Sequence, residues 1–256
     1  LQHEDGHSLL LASTNPAVVS YDPAFGYEVG HIVKDGLRRM YGENSENVYY
    51  YLTVYNEPYQ QPAEPEKLDV EGLLKGIYLL KKPLRWRRKK VALLASGVAV
   101  NWAIKAQKLL NDDFGIAATI YSVTSWNELR RDGLAVDRHN LLNPDKKVSA
   151  FITKKLKKES GPVIAVSDFM RSVQDQIAPW VSQPFYSLGT DGFGLSDTRG
   201  ALRRHFKVDA ESIAVAALSQ LHKERLVSKR KVKKAISKYQ INDVTAAEAG
   251  NTEGSG

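Results

Sequence analysis

Apolar and polar positions along this chain repeat with two different periods, and the switches between them mark its elements. Phe25, Val29, Ile32, Val33, Leu37 and Met40 recur at helical spacing. Asp22 is placed to cap the free amides, Pro23 suits the first turn, and Arg38, Arg39 and Gly42 close the helix. Residues 48–55 (VYYYLTVY) are β-branched and aromatic without turn formers, which predicts a strand apolar on both faces and central to a sheet. Over residues 56–69 the composition changes to Pro, Glu and Gln. Pro58, Pro62 and Pro65 remove backbone donors there and favour an extended linker between domains.

Beyond the linker the alternation resumes, with strands expected at 76–80, 91–95, 117–123, 163–166 and 185–188 and a helix over 99–110. Ser125 and Glu128 have capping-box spacing and open another helix. Residues 209–221 and 229–239 read as closing helices, and residues 246–256 lack a core-forming pattern and read as a mobile tail. Continuous apolar strands separated by helices imply an α/β fold with a mostly parallel sheet covered on both faces. Its first strand is expected to run antiparallel, because a short basic loop rather than a helix joins it to the second.

With 256 residues, 43% of them apolar and including four Trp and twelve Tyr, the chain has ample material for one large or two modest domains. No apolar run approaches the length of a bilayer span and the start lacks a secretory pattern, so the expected setting is cytoplasmic, without a membrane. The absence of cysteine excludes disulfides and thiolate ligands. The net charge of +7 is uneven: residues 1–75 hold five basic and twelve acidic groups, leaving the remainder at about +14. That excess sits in runs at 81–90, 154–158 and 222–234, where only Trp86 offers a stacking ring. The runs therefore read as solvated loops and helix faces, and no nucleic-acid partner is expected.

Chemistry concentrates in the first seven residues, where His3, Glu4, Asp5 and His7 fall within five positions. By pattern this is H-E-x-x-H, which binds zinc through two histidines one helical turn apart, with Glu28 available as a distant third ligand. The pattern needs a continuous helix, whereas Asp5-Gly6 favours a turn and Gly6 costs about 1 kcal/mol relative to alanine in a helix interior. A loop presenting His3 to a substrate needs no helix, and a third reading has both histidines merely satisfying backbone groups. Residues 189–197 (GTDGFGLSD) follow a predicted strand and can approach a ligand with their backbone or form a tight turn at a domain or subunit contact. Their glycines do not match a dinucleotide fingerprint, and the chain has no phosphate-binding P-loop. Tyr49, Tyr50, Tyr51 and Tyr55 read as core. His31, His139 and His222 read as structural or solvated.

Five blocks carry a resemblance: residues 1–8 (LQHEDGHS), 21–28 (YDPAFGYE), 35–42 (DGLRRMYG), 48–59 (VYYYLTVYNEPY) and 189–209 (GTDGFGLSDTRGALRRHFKVD). In order and spacing the chain resembles the C-terminal part of the homodimeric, bacterial-type pyruvate dehydrogenase component, over nearly all of residues 1–240. The resemblance implies the end of a transketolase-like pyrimidine-binding domain over 1–68, then a transketolase C-terminal-like three-layer domain over 72–245. It also implies an enzyme that decarboxylates pyruvate with thiamine diphosphate and magnesium, neither fully bound by this segment. The acetyl group passes to the lipoyl domain of a dihydrolipoyl acetyltransferase component. His3 aligns with an active-site histidine that hydrogen-bonds substrate-derived oxygens or assists proton transfer, and Gln2, Glu4, Asp5 and His7 resemble its supporting loop. Opening on Leu1 inside this motif, the chain reads as the tail of a longer polypeptide, inactive alone. A dimerisation or scaffold module and a zinc hydrolase stand as the alternatives.

Overall fold

The computed structural model describes residues 6–247. Helix α1 (Ser8–Ala12) leads into strand β1 (Val18–Tyr21), helix α2 (Gly26–Tyr41) and strand β2 (Tyr49–Leu52). The two strands pair in parallel, from Val18 opposite Tyr49 to Tyr21 opposite Leu52. Helix α2 starts later than its expected cap, because Asp22 turns inward instead. Its carboxylate is buried and accepts from Thr53 Oγ1 (2.6 Å), Tyr55 OH (2.7 Å) and Ser96 Oγ (2.6 Å). The amides at the helix entrance are met by Glu28, which accepts from Ala24 N (2.5 Å) and Phe25 N (3.2 Å).

Strand β2 corrects the expectation of a long central strand. Only four residues are paired, and burial alternates along them, so one face is covered and the other open. Tyr50 stacks on Tyr21 with ring centroids 5.8 Å apart, whereas Tyr49 and Tyr51 are exposed. The core assignment therefore holds for Tyr50 in part and fails for Tyr49 and Tyr51: among the described residues no strand or helix packs on their side.

After helix α3 (Val70–Leu74) the chain forms β3 (Tyr78–Lys81), β4 (Lys90–Ala95), α4 (Ala99–Phe114), β5 (Ala117–Ser122), α5 (Trp126–Leu142), α6 (Phe151–Leu156) and β6 (Val163–Val166). Then come α7 (Arg171–Asp175), β7 (Phe185–Leu188), α8 (Arg199–Phe206), α9 (Ala210–Lys223) and α10 (Lys229–Lys238). The five strands form one sheet in the order β3-β5-β4-β6-β7. β3 is antiparallel, as its short connection predicted, but its neighbour is β5 rather than β4. All other pairings are parallel.

Alternation along β4 explains the three layers. Val91, Leu93 and Ala95 face a core shared with α4 and α9, while Ala92 and Leu94 face Trp126, Leu129 and Ile152 from α5 and α6. Ser125 caps α5 as its box predicted, accepting from Glu128 N at 3.0 Å. Helix α4 runs one turn past its expected end, to Gly115, whose φ of +62° closes it in the left-handed conformation glycine favours.

The linker is extended, as its prolines require, but it is fastened down. Tyr59 OH donates to Ala24 O, Gly26 N donates to Gln61 Oε1 (3.0 Å), and Glu57 pairs with Arg203 of α8. A small cluster of Val19, Tyr21, Ile32, Leu73 and Tyr78 further joins the two-stranded unit to the edge of the large sheet.

Candidate functional site

Strand order reverses between β4 and β6, since the chain proceeds from β4 to β5 on one side and then crosses to β6 and β7 on the other. In open parallel sheets such a switch point leaves a crevice outside the carboxyl ends of the strands. Ser96, Asp168 and Gly189 lie at or just past those ends. A cavity of about 280 Å³ lies there, with Gly6, Tyr55, Glu57, Asp168, Thr190 and Arg203 in its wall.

The N-terminal segment reaches this cavity through close backbone packing. Met170 N donates to Gly6 O at 2.8 Å, and Thr190 N donates to Phe169 O at 3.0 Å. Three stretches of main chain thus meet side by side, and a methyl group on Gly6 would stand 3.0 Å from Thr190 O. One on Gly189 would overlap Phe169 O. Glycine is required at Gly189, where backbone approaches backbone, and at Gly6 an added methyl would need the neighbouring carbonyl to give by a few tenths of an ångström.

Charge in the cavity is arranged around Arg203. Its guanidinium is buried and forked onto Glu57, with Nη1 3.0 Å from Oε1 and Nη2 on Oε2. It also lies 4.8 Å from the centroid of the Trp102 ring and 3.7 Å from Asp168 Oδ2. Asp168 Oδ1 is buried without a hydrogen-bond partner. Burial pushes this carboxyl up to about 6, with Arg203 opposing the shift and the neighbouring carboxylates Asp22 and Glu57 adding to it. Asp22 is raised as well, chiefly by burial, against the pull of its three hydroxyl donors. The arrangement can hold a proton, anchor a loop and exclude bulk water from one wall of the cavity.

Of the residues singled out in the sequence, Gln2, His3, Glu4 and Asp5 lie outside the described residues. His7 is the N-cap position of α1, and its carbonyl accepts from Leu11 N at 3.0 Å. The helix begins only after the second histidine, with a bend at Gly6, so the described end of the H-E-x-x-H pattern is not on a helical turn. Glu28 is fully buried and engaged by Ala24, Phe25, Tyr78 and Ser122, which removes it as a zinc ligand. No three His, Asp or Glu side chains come together to hold a metal ion among the described residues. His31 Nε2 pairs with Glu64 Oε1 (3.0 Å), His139 Nε2 with Lys146 O (3.0 Å) and His222 Nδ1 with Val227 O (3.0 Å). The glycine loop does line the cavity, through Thr190, Gly194 and Leu195. Sequence reasoning missed Glu57, Asp168 and Arg203. Glu57 was hidden in a linker and Arg203 in a cationic pair on a helix. Asp168 lies just past a strand end, and only the switch-point rule would have marked it.

The comparisons with known proteins agree with this geometry. Residues 76–209 match the transketolase-like TK C-terminal domain, and residues 1–62 match the pyruvate dehydrogenase E1 component middle domain. The chain is 56% identical over 248 residues to the pyruvate dehydrogenase E1 component of Mycolicibacterium smegmatis, covering 96% of this chain and 27% of that protein. It is 52% identical over 254 residues to the same component of Mycobacterium tuberculosis, covering 99% of this chain and 27% of that protein. It thus spans about a quarter of the length of these relatives. A solved transketolase from Pichia stipitis superimposes with a TM-score of 0.60 at 19% identity, covering 89% of this chain and 29% of that one, which shows the shared fold. No helix among the described residues is long and apolar enough to cross a membrane. The chain belongs to the transketolase-like C-terminal domain family, in the branch homologous to pyruvate dehydrogenase E1 components.

Proposed function

We propose that this chain is a portion of an E1 component that decarboxylates pyruvate and passes the acetyl group to the lipoyl domain of a dihydrolipoyl acetyltransferase. The parent is read as a cytoplasmic, thiamine diphosphate-dependent homodimer. In this reading residues 1–68 end its pyrimidine-binding domain, 72–245 form its C-terminal domain and 246–256 a tail. The observation that carries the reading is homology to E1 components along nearly the whole chain, from the histidine loop through α9.

The described residues do not fit the diphosphate and magnesium end of the cofactor. They bring together no set of three carboxylates or imidazoles, and the cavity presents Glu57 and Asp168 while Arg203 is already engaged. What this chain supplies is a wall and a loop. His3 acts as hydrogen-bond donor or proton carrier on the substrate side, with Gln2, Glu4, Asp5 and His7 supporting it, and Gly6 is hydrogen-bonded to Met170 at the cavity wall.

The test is pyruvate decarboxylation with added thiamine diphosphate and magnesium, comparing this chain with a polypeptide of the relatives' full length that contains it. Turnover by the longer polypeptide and none by this chain is the expected result. A longer polypeptide that leaves pyruvate untouched overturns the reading, and turnover by this chain alone overturns its incompleteness.

A further inference from the structure

Two of the basic runs, far apart in sequence, come together at one end of the large sheet. Residues 82–89 form a loop without helix or strand that enters β4 at its amino end, where Lys89 O accepts from Ala117 N (3.0 Å) at the start of β5. Helix α10 lies against the same end: Lys231 Nζ donates to Phe114 O (3.0 Å) at the close of α4, and Lys238 pairs with Asp113. The cavity lies beyond the other end of the strands, the six residues of β4 away, about 17 Å. Like charges meet at this junction. Burial first, and then the charges of Lys89 and Lys234, hold the Lys231 ammonium below its ordinary value. The nearby carboxylates are already committed, Asp112 to Lys108 and Asp113 to Lys238 and Tyr239. Among the described residues no carboxylate forms an ion pair with Arg85, Arg88, Lys89, Lys231 or Lys234, and Arg87 Nε is buried without an acceptor.

Apolar side chains stand among these cations. Trp86 is 80% exposed and Leu84 54%, although a loop held in water by its charges alone has no use for an open indole. We propose that residues 84–89 and the face of α10 carrying Lys231 and Lys234 form a docking surface for an acidic, partly apolar segment of another protein, with Trp86 as anchor and the cations as rim. Such a segment would cover the indole and supply the carboxylates that the cations lack, which accounts for both features at once. A protein is favoured over a nucleic acid because the loop offers one ring, whereas a single strand needs successive rings on which to stack its bases. Charge would then set the rate and orientation of encounter, and burial of the indole the lifetime of the complex. The surface lies away from the cavity, so the inference does not depend on the reaction proposed above.

The experiment uses a polypeptide of the relatives' full length that contains this chain, and reads the fluorescence anisotropy of a labelled peptide of glutamate and aspartate interrupted by two central leucines. The same peptide with serine in place of leucine, and a single-stranded oligonucleotide of equal net charge, are the comparison probes. Saturable binding of the leucine peptide is expected, weakened by added salt and weakened about tenfold by Trp86→Ala. Arg85→Glu and Lys234→Glu, one in each segment, should each weaken it several-fold, and the serine peptide should bind less well than the leucine peptide. All three substituted residues are exposed, so thermal midpoints should stay at the parent's value. Absence of saturable binding overturns the proposal, as does binding indifferent to Trp86→Ala. Binding indifferent to Lys234→Glu overturns the joint surface of loop and helix, and an oligonucleotide held as tightly as the leucine peptide would replace the protein partner with a nucleic acid.

Discussion

Glu28 shows how much of this fold hangs on single buried carboxylates. It has no exposed surface, yet it accepts from two backbone amides, from Tyr78 OH (2.6 Å) and from Ser122 Oγ (2.7 Å), joining the entrance of α2 to β3 and β5. Glu28→Ala would leave the amides of Ala24 and Phe25 and the hydroxyls of Tyr78 and Ser122 without their shared acceptor, a loss of about 2–4 kcal/mol, measured as the shift in urea midpoint. Asp168 gives a pH prediction. Its carboxyl is raised to about 6 in the folded state, so the folded protein binds the proton more tightly than the unfolded chain does. The stability this contributes is full below the ordinary carboxylate range and is lost as pH rises through about 6. Thermal midpoints taken from pH 4 to 8 should therefore fall less steeply in Asp168→Asn than in the parent. Parallel curves would show that Arg203, Glu57 and Asp22, the charged groups facing it, leave the carboxyl unperturbed.

At the scale of elements, two helical glycines should respond to the same substitution with opposite signs. A methyl group added at Gly30 of α2 would meet nothing within 4 Å, so Gly30→Ala should stabilise by about 0.5–1 kcal/mol. Gly133 of α5 lies under the Trp180 indole, which an added methyl would overlap, so Gly133→Ala should destabilise by about 1–3 kcal/mol despite the better helix former. Denaturation midpoints of the two variants check both signs. Sequence legibility divides along similar lines. The strands Val163–Val166 and Phe185–Leu188, the cap at Ser125 and the start of α9 after Asp209 were all readable, because buried strands and side-chain caps leave local signatures. Short elements such as α1, α3 and α7 were not, since five residues are too few to show a period. Asp22 misled because a capping residue and a buried acceptor look alike until its three hydroxyl partners, up to 74 positions away, are in place. The same reason hid the cavity: Glu57, Asp168 and Arg203 become a group only once the sheet has formed.

Across the whole molecule, one group of exposed apolar side chains lies together on the two-stranded unit. Val33, Leu37 and Tyr41 on α2, with Tyr49 and Tyr51 on β2, are exposed on the two-stranded unit, while the large sheet is covered on both faces. Open apolar surface of this kind favours association. Light scattering on this chain should therefore show self-association that the double variant Val33→Lys, Leu37→Lys reduces without lowering the thermal midpoint; a monodisperse parent would refute it. The proposed function joins this body to the rest of a larger enzyme. In it the C-terminal sheet provides a rigid wall, and His3 contributes an imidazole to chemistry completed by the rest of the E1 component. The most direct measurement is turnover of pyruvate by a full-length E1 component in which His3 of this numbering is replaced by alanine, followed alongside its affinity for thiamine diphosphate. A fall in turnover on the order of 10²-fold with cofactor affinity unchanged is the predicted result. Equal losses in turnover and cofactor affinity, or no loss of turnover, would contradict it.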